Sequence, residues 1–164
     1  MQPTRYHGRV DWNDYARTGC ALGGAVEIVG DRWTMKVLRE LFLGVRRFGA
    51  IQRNTGVAKN ILADRLQWLV ANGILAREQY QERPARYEYR LTEKGLDLYP
   101  ILVGLMAWGA KHAPSAAAPL VLVQHRGCGA VGLPHLTCSG CGEPVGPRDM
   151  RALVGPGAVL RETA

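Results

Sequence analysis

A change of hydrophobic period within residues 46–95 constrains the fold of this chain more than any other feature. Residues 47–52 read as a short amphipathic helix, ended by the breaker run Asn54-Thr55-Gly56. In residues 58–71, Leu62, Leu66 and Leu69 recur at the spacing that keeps one helical face apolar. The opposite face carries Asn60, Ala63, Asp64 and Gln67, all small or polar. Asn72-Gly73 then supplies a left-handed stop. After it the period falls to two. Residues 74–80 and 85–91 alternate as strands around a turn at Gln81-Glu82-Arg83-Pro84, with Tyr87, Tyr89 and Leu91 on one face. Arg83, Arg86 and Arg90 fall on the tip and outer side of this hairpin.

Short helix, turn, polar-faced helix and basic hairpin is the order of a winged helix-turn-helix, an architecture that reads DNA. The fold class expected is mainly α with one small hairpin (α+β). The charge agrees. Residues 32–94 hold 13 Lys/Arg against 6 Asp/Glu, which accounts for the whole formal net charge of +7. An excess confined to one motif is the footprint of a polyanion, and it favours double-stranded DNA over a merely solvated basic face.

At 164 residues, the chain suggests one domain with an appendage. A hydrophobic fraction of 47% is enough for a core. No apolar run approaches a membrane span, and the first residues have no apolar leader, so a cytoplasmic protein without membrane contact is expected. Residues 1–19, with scattered Tyr6, Trp12 and Tyr15, read as an N-terminal arm. Residues 20–112 read as the DNA-binding and dimerisation domain. Within it, Leu22, Val26 and Val29 mark a helix despite Gly23-Gly24. Asp31 is a good cap for the next helix, whose apolar face holds Trp33, Val37, Leu38, Leu41 and Phe42. Thr92-Glu93-Lys94-Gly95 opens a long apolar helix to about Lys111, kinked or restarted at Pro100. It is apolar around more of its circumference than one core face explains, which suggests a dimer surface. Residues 113–119, Ala-rich between prolines, read as a linker.

Residues 120–164 form a tail with its own chemistry. His125-Arg126-Gly127-Cys128 and Cys138-Ser139-Gly140-Cys141 each place two residues between two ligand-type side chains. Four cysteines in a reducing compartment are a poor disulfide framework. Three thiolates and one imidazole instead suit a closed, structural, tetrahedral Zn²⁺, in a zinc-ribbon-like knuckle. His135 is the alternative imidazole, but it would close a tighter ring with Cys138. A redox Cys-x-x-Cys and an unstructured tail are the competing readings.

Several stretches resemble the HxlR family of bacterial winged-helix transcriptional regulators. They are Cys20, Gly30-Asp31-Arg32-Trp33-Thr34, Arg47-Phe48 and Ile61-Leu62-Ala63-Asp64-Arg65-Leu66. Arg86-Tyr87-Glu88-Tyr89-Arg90-Leu91-Thr92-Glu93-Lys94-Gly95, Pro100-Ile101-Leu102 and Trp108-Gly109 complete the pattern over residues 20–110. The resemblance implies a homodimer on an inverted-repeat operator, acting as a repressor or an activator, with repression the expected sign. It also implies that a cysteine at the position of Cys20 senses oxidants or electrophiles; within the regulator reading, a small ligand bound between the dimer helices is the other form of control expected. Two positions depart from the family pattern: Ala58 stands where Ser is frequent, and Ala21 follows Cys20 where Pro is common.

The expected DNA-contacting residues are Lys59, Asn60, Ala63, Asp64, Arg65 and Gln67 on the recognition helix. Arg47, Arg83 and Arg86 are expected on the DNA backbone. The expected metal ligands are His125, Cys128, Cys138 and Cys141. A redox or metal-dependent enzyme built on Cys138 and Cys141 is the alternative of a different class. No paired carboxylates, phosphate-cradling glycine loop or Ser/His/Asp spacing supports general catalysis, so a non-enzyme is expected.

Overall fold

The carboxylate of Asp31 accepts hydrogen bonds from Trp33 N (2.8 Å) and Thr34 N (3.2 Å), so the first strongly amphipathic helix starts where the cap stands. The computed structural model describes residues 21–113, 122–132, 136–146 and 148–150. The expected arm (1–19), Cys20, His135 and positions 114–119 of the expected linker lie outside the described residues. The elements run α1 (Ala21–Val29), α2 (Arg32–Phe42), α3 (Phe48–Thr55), α4 (Lys59–Ala71), β1 (Leu75–Gln81), β2 (Arg86–Leu91), α5 (Glu93–Leu96) and α6 (Tyr99–His112). This is the α+β winged helix that the change of period predicts. Val26–Leu133 form one compact unit, and residues 136–146 belong to another. Among the described residues no helix is long and apolar enough to cross a membrane.

The core lies where α2, α3 and α4 meet. Val37, Leu38 and Leu41 of α2 pack with Ile51 of α3, with Leu62, Leu66 and Leu69 of α4, and with Val57 from the turn between α3 and α4. Ile74 and Leu75 close the cluster from the hairpin side. Burying each such side chain contributes about 1.5–3 kcal/mol, far more than the propensity of helices this short. Gly56 ends α3 with φ +68°, and its N–H reaches the Gln52 carbonyl at 2.9 Å. Two polar residues of α2, Thr34 and Glu40, are buried in this region. The buried Glu40 carboxylate accepts from Arg39 (2.6 Å) and from Asn54 Nδ2 (2.7 Å), which ties α2 to the end of α3.

The hairpin is antiparallel, with Leu75 opposite Leu91 and Glu78 opposite Glu88. It starts one residue later than the alternation suggests: Ile74 N still bonds back to the Leu69 carbonyl of α4 (2.9 Å). A bulge between Gln79 and Gln81 shifts the register near the tip. The apolar stretch from Gly95 to about Lys111, expected to kink or restart at Pro100, is divided into two helices. α5 ends at Leu96, and α6 restarts with Pro100 in its first turn, where a missing N–H costs nothing.

Thr92-Glu93-Lys94-Gly95 fastens the foot of the hairpin to the end of α4. Thr92 N donates to the Ile74 carbonyl (3.0 Å), while Thr92 Oγ1 donates to the Gly73 carbonyl (2.7 Å) and accepts from Gly95 N (3.1 Å). Lys94 Nζ donates to the Asn72 carbonyl at 2.9 Å. Gly95 is buried, and a Cβ there would collide with the Ile74 carbonyl and press on Leu91. Gly95→Ala must push the two backbones apart, a loss of about 1–3 kcal/mol expected from overpacking. A lowered urea midpoint at an unchanged m-value checks it. An unshifted midpoint would mean that this close approach is not needed.

Candidate nucleic-acid interface

Leu62, Leu66 and Leu69 are wholly buried, so α4 has a fixed rotation about its axis. Lys59, Asn60, Ala63, Asp64 and Gln67 consequently all face outward and are exposed, while Arg65 on the flank is half-buried. The described ion pairs involve Arg39, Arg46 and Arg90, so Arg65 keeps its charge free of a carboxylate among the described residues. Ala58 is the N-cap: its carbonyl accepts from Leu62 N at 2.9 Å, but it has no side chain to offer the first-turn amides. That end of α4 therefore presents open N–H groups beside Lys59 and Asn60, a setting that favours phosphate. Phe48 joins Lys59, Asn60 and Ala63 around a shallow depression there. In the sequence Phe48 falls on the short helix and in the family pattern, but not among the expected contact residues.

The wing is anchored to the helix-turn-helix by backbone. Tyr89 N donates to the Arg46 carbonyl at 2.9 Å, and Arg47 bridges to Glu88, so residues 46 and 47 lie along β2 like a short third strand. The two-residue length of this pairing leaves no alternation to read, which is why the sequence did not announce it. The guanidinium of Arg47 lies 4.4 Å from the Tyr80 ring, and Tyr80 stands at the bulge. Arg83 and Arg86 are exposed at the tip. Arg90, expected among the outward cations, is instead held by Glu78 and Glu88 at 2.7 Å each. The reason is cross-strand geometry: Glu78 sits opposite Glu88, and Arg90 relieves a like-charge pair that is otherwise unfavourable. Arg77 is stacked 3.6 Å over Tyr87. The cations left for a polyanion on this hairpin are thus concentrated at Arg83 and Arg86.

The tail residues are placed as two separate pairs. His125 Nδ1 lies 3.2 Å from Cys128 Sγ. Cys138 and Cys141 flank Ser139-Gly140, with Cys138 half-buried and Cys141 exposed. Hydrogen bonds from the backbone N–H of Gly140, then that of Cys141, hold the Cys138 thiol below the usual thiol range. Among the described residues no three His, Cys, Asp or Glu side chains stand together as a metal site. Cys20 lies outside the described residues.

Comparison with known proteins agrees with this geometry. The family model for HxlR-like helix-turn-helix proteins matches residues 28–117. An HTH-type transcriptional regulator of Mycobacterium tuberculosis is 44% identical over 139 residues, covering 85% of this chain and 88% of its own. Among solved structures, PA1607, described as a transcription factor, superposes with a TM-score of 0.72 at 32% identity, covering 85% of this chain and 97% of its own. The redox regulator HypR in its reduced form superposes with a TM-score of 0.53 at 28% identity, covering 56% and 92%.

The bare cap of α4 generates a direct test. A serine side chain at position 58 would accept from a first-turn amide, a contact worth about 0.5–2 kcal/mol at other helix starts. Ala58→Ser is expected to raise the thermal midpoint and to leave the fold unchanged. A midpoint that stays put would show that the first-turn amides of α4 have another acceptor.

Proposed function

The chain belongs to the HxlR-like helix-turn-helix family, a family of transcriptional regulators, and from that premise we propose a sequence-specific regulator that reads its operator with the outer face of α4. One observation carries the reading. The buried leucines turn five exposed small or polar side chains to the outside, beside a wing tip whose arginines have no carboxylate partner among the described residues. Asn60 and Gln67 suit adenine edges, Asp64 suits a cytosine amino group, and Ala63 suits a thymine methyl. Lys59, Arg65, Arg47, Arg83 and Arg86 are assigned to phosphates or the minor groove. Family membership does not favour the enzyme alternative at Cys138 and Cys141.

The protein acts in the cytoplasm as a homodimer on an inverted repeat, as a repressor. α6 supports the dimer: it buries Leu102 and Val103 but leaves Ile101, Leu105 and Trp108 exposed, an apolar surface that a monomer would leave in water. Control by thiol oxidation or by an electrophile at Cys20 is favoured by the similarity to the redox regulator HypR. A small-ligand effector fits the same dimer. If Cys20→Ser binds DNA and answers peroxide and quinone as the wild type does, the sensor is elsewhere.

Selection of bound duplexes from a random pool, with and without oxidant, tests the whole reading. A palindromic consensus is expected, and recovery of unselected sequences would overturn it. Asn60→Ala and Gln67→Ala should each relax preference at one position by about 1–3 kcal/mol. Arg83→Ala and Arg86→Ala should instead weaken operator and random DNA alike and lower the salt slope by roughly one unit each. An unchanged slope in both would remove the wing from the interface.

A further inference from the structure

Phe48 opens α3 beside the outward face of α4, and core packing uses only part of its ring. It is half-buried against the α2–α4 cluster, and it also forms one wall of the shallow depression completed by Lys59, Asn60 and Ala63. Those three residues are exposed and neighbour one another on α4, at positions i, i+1 and i+4. Nearly all of the wall is carbon, although two of the four side chains carry polar ends. Such a patch stands out on a face whose other side chains, Asp64 and Gln67, are polar.

The walls are in place before any ligand arrives. Ile51 is wholly buried and fixes the rotation of α3, as the three leucines fix that of α4. The start of α3 is held as well, because Ala50 N and Ile51 N both donate to the Arg47 carbonyl (3.0 Å each) and Arg47 bridges to Glu88 of the wing. Between the two helices the chain turns through left-handed Gly56 and buries Val57. The depression therefore belongs to the folded helix-turn-helix and needs no rearrangement to form.

We propose that this depression is a socket for the C5-methyl group of a pyrimidine in the major groove, so that Phe48 and Ala63 read thymine by its methyl and accept 5-methylcytosine in the same way. The inference rests on the reading of α4 as the recognition helix. The chemistry of the groove narrows the occupant. Base edges present acceptors, amino donors and a single apolar group, the thymine methyl. The N-terminal residues of a recognition helix are the ones that meet base edges, and the three α4 walls lie there. A phosphate would need donors in the wall, which carbon does not supply. The Lys59 ammonium, at the end of its stem, reaches a phosphate outside the socket. Ala63 alone offers one methyl group, and Phe48 adds the opposing wall from α3. That makes Phe48 a specificity-determining residue outside the recognition helix. Unmodified cytosine leaves the socket empty, whereas its C5-methylated form fills it.

The test uses the full-length chain and the operator recovered by selection from random duplexes. Each thymine of one half-site is replaced in turn by deoxyuridine, which keeps the pairing and the O4 acceptor and removes only the methyl. At one position uracil is expected to weaken binding about fourfold, the effect of leaving one methyl group unburied. At that position a 5-methylcytosine pair should bind more tightly than the unmodified cytosine pair by a similar factor. Phe48→Ala and Ala63→Ser should each bring the thymine-to-uracil ratio close to one. The ratio compares two duplexes on one protein, so a loss of overall stability in either variant cancels. The socket is overturned if no thymine responds to removal of its methyl, if methylated and unmodified cytosine bind equally, or if the ratio is unchanged in either variant. A pool that yields no consensus overturns the regulator reading itself and the socket with it, so the two failures are told apart.

Discussion

The burial of Leu62, Leu66 and Leu69 against α2 and α3 is the constraint on which the rest of the molecule depends. Successive residues of a helix lie about 100° apart, so rotating α4 by one position would bring a leucine into water and a polar residue into the core. With each leucine contributing about 1.5–3 kcal/mol, that alternative is not populated. The helix therefore has one rotation, and Asn60, Ala63, Asp64 and Gln67 have one outward direction. The pattern that builds the core is the same pattern that aims the reading face. This is why α4 tolerates a bare cap at Ala58: packing, not its N-terminus, holds it in place.

The second requirement is that the wing keep a fixed position relative to α4, and here backbone does most of the positioning. Two sets of hydrogen bonds meet at the hairpin. At its foot, Thr92 and Lys94 bind the carbonyls of Asn72, Gly73 and Ile74, directly after α4. Higher up, Tyr89 binds the carbonyl of Arg46, directly before α3. The hairpin is thus pinned to both ends of the helix-turn-helix unit. Side-chain charge then does local work within it. Arg90 neutralises Glu78 and Glu88, Arg77 covers Tyr87, and Arg47 covers Tyr80, which leaves Arg83 and Arg86 at the tip.

What could be read from the sequence follows from the range of each interaction. The leucine period, the Asp31 cap, the stops at Gly56 and Gly73 and the two-residue alternation are all local, and each gave its element to within about three residues; α3 runs on through Asn54 and Thr55 to Gly56. The partners of Arg90 were not legible, because they depend on which residue faces which across the hairpin. The same is true of the bulge that re-aims Tyr80 and of the short pairing of residues 46 and 47 with β2. The division of the last helix was half legible. Pro100 marked the place, but only the packing of Gly95 under Ile74 shows why the chain must turn there.

The two parts of the chain are ordered by different physics. Residues 32–94 carry the entire charge excess and bury their leucines, so their stability comes from apolar area and their partner is a polyanion. The tail has balanced charge nearby and exposed apolar side chains, and its turns are closed by left-handed glycines. Among the described residues, no buried member of the α2–α4 cluster comes from beyond Leu75, so the packing that aims α4 is built within residues 29–75.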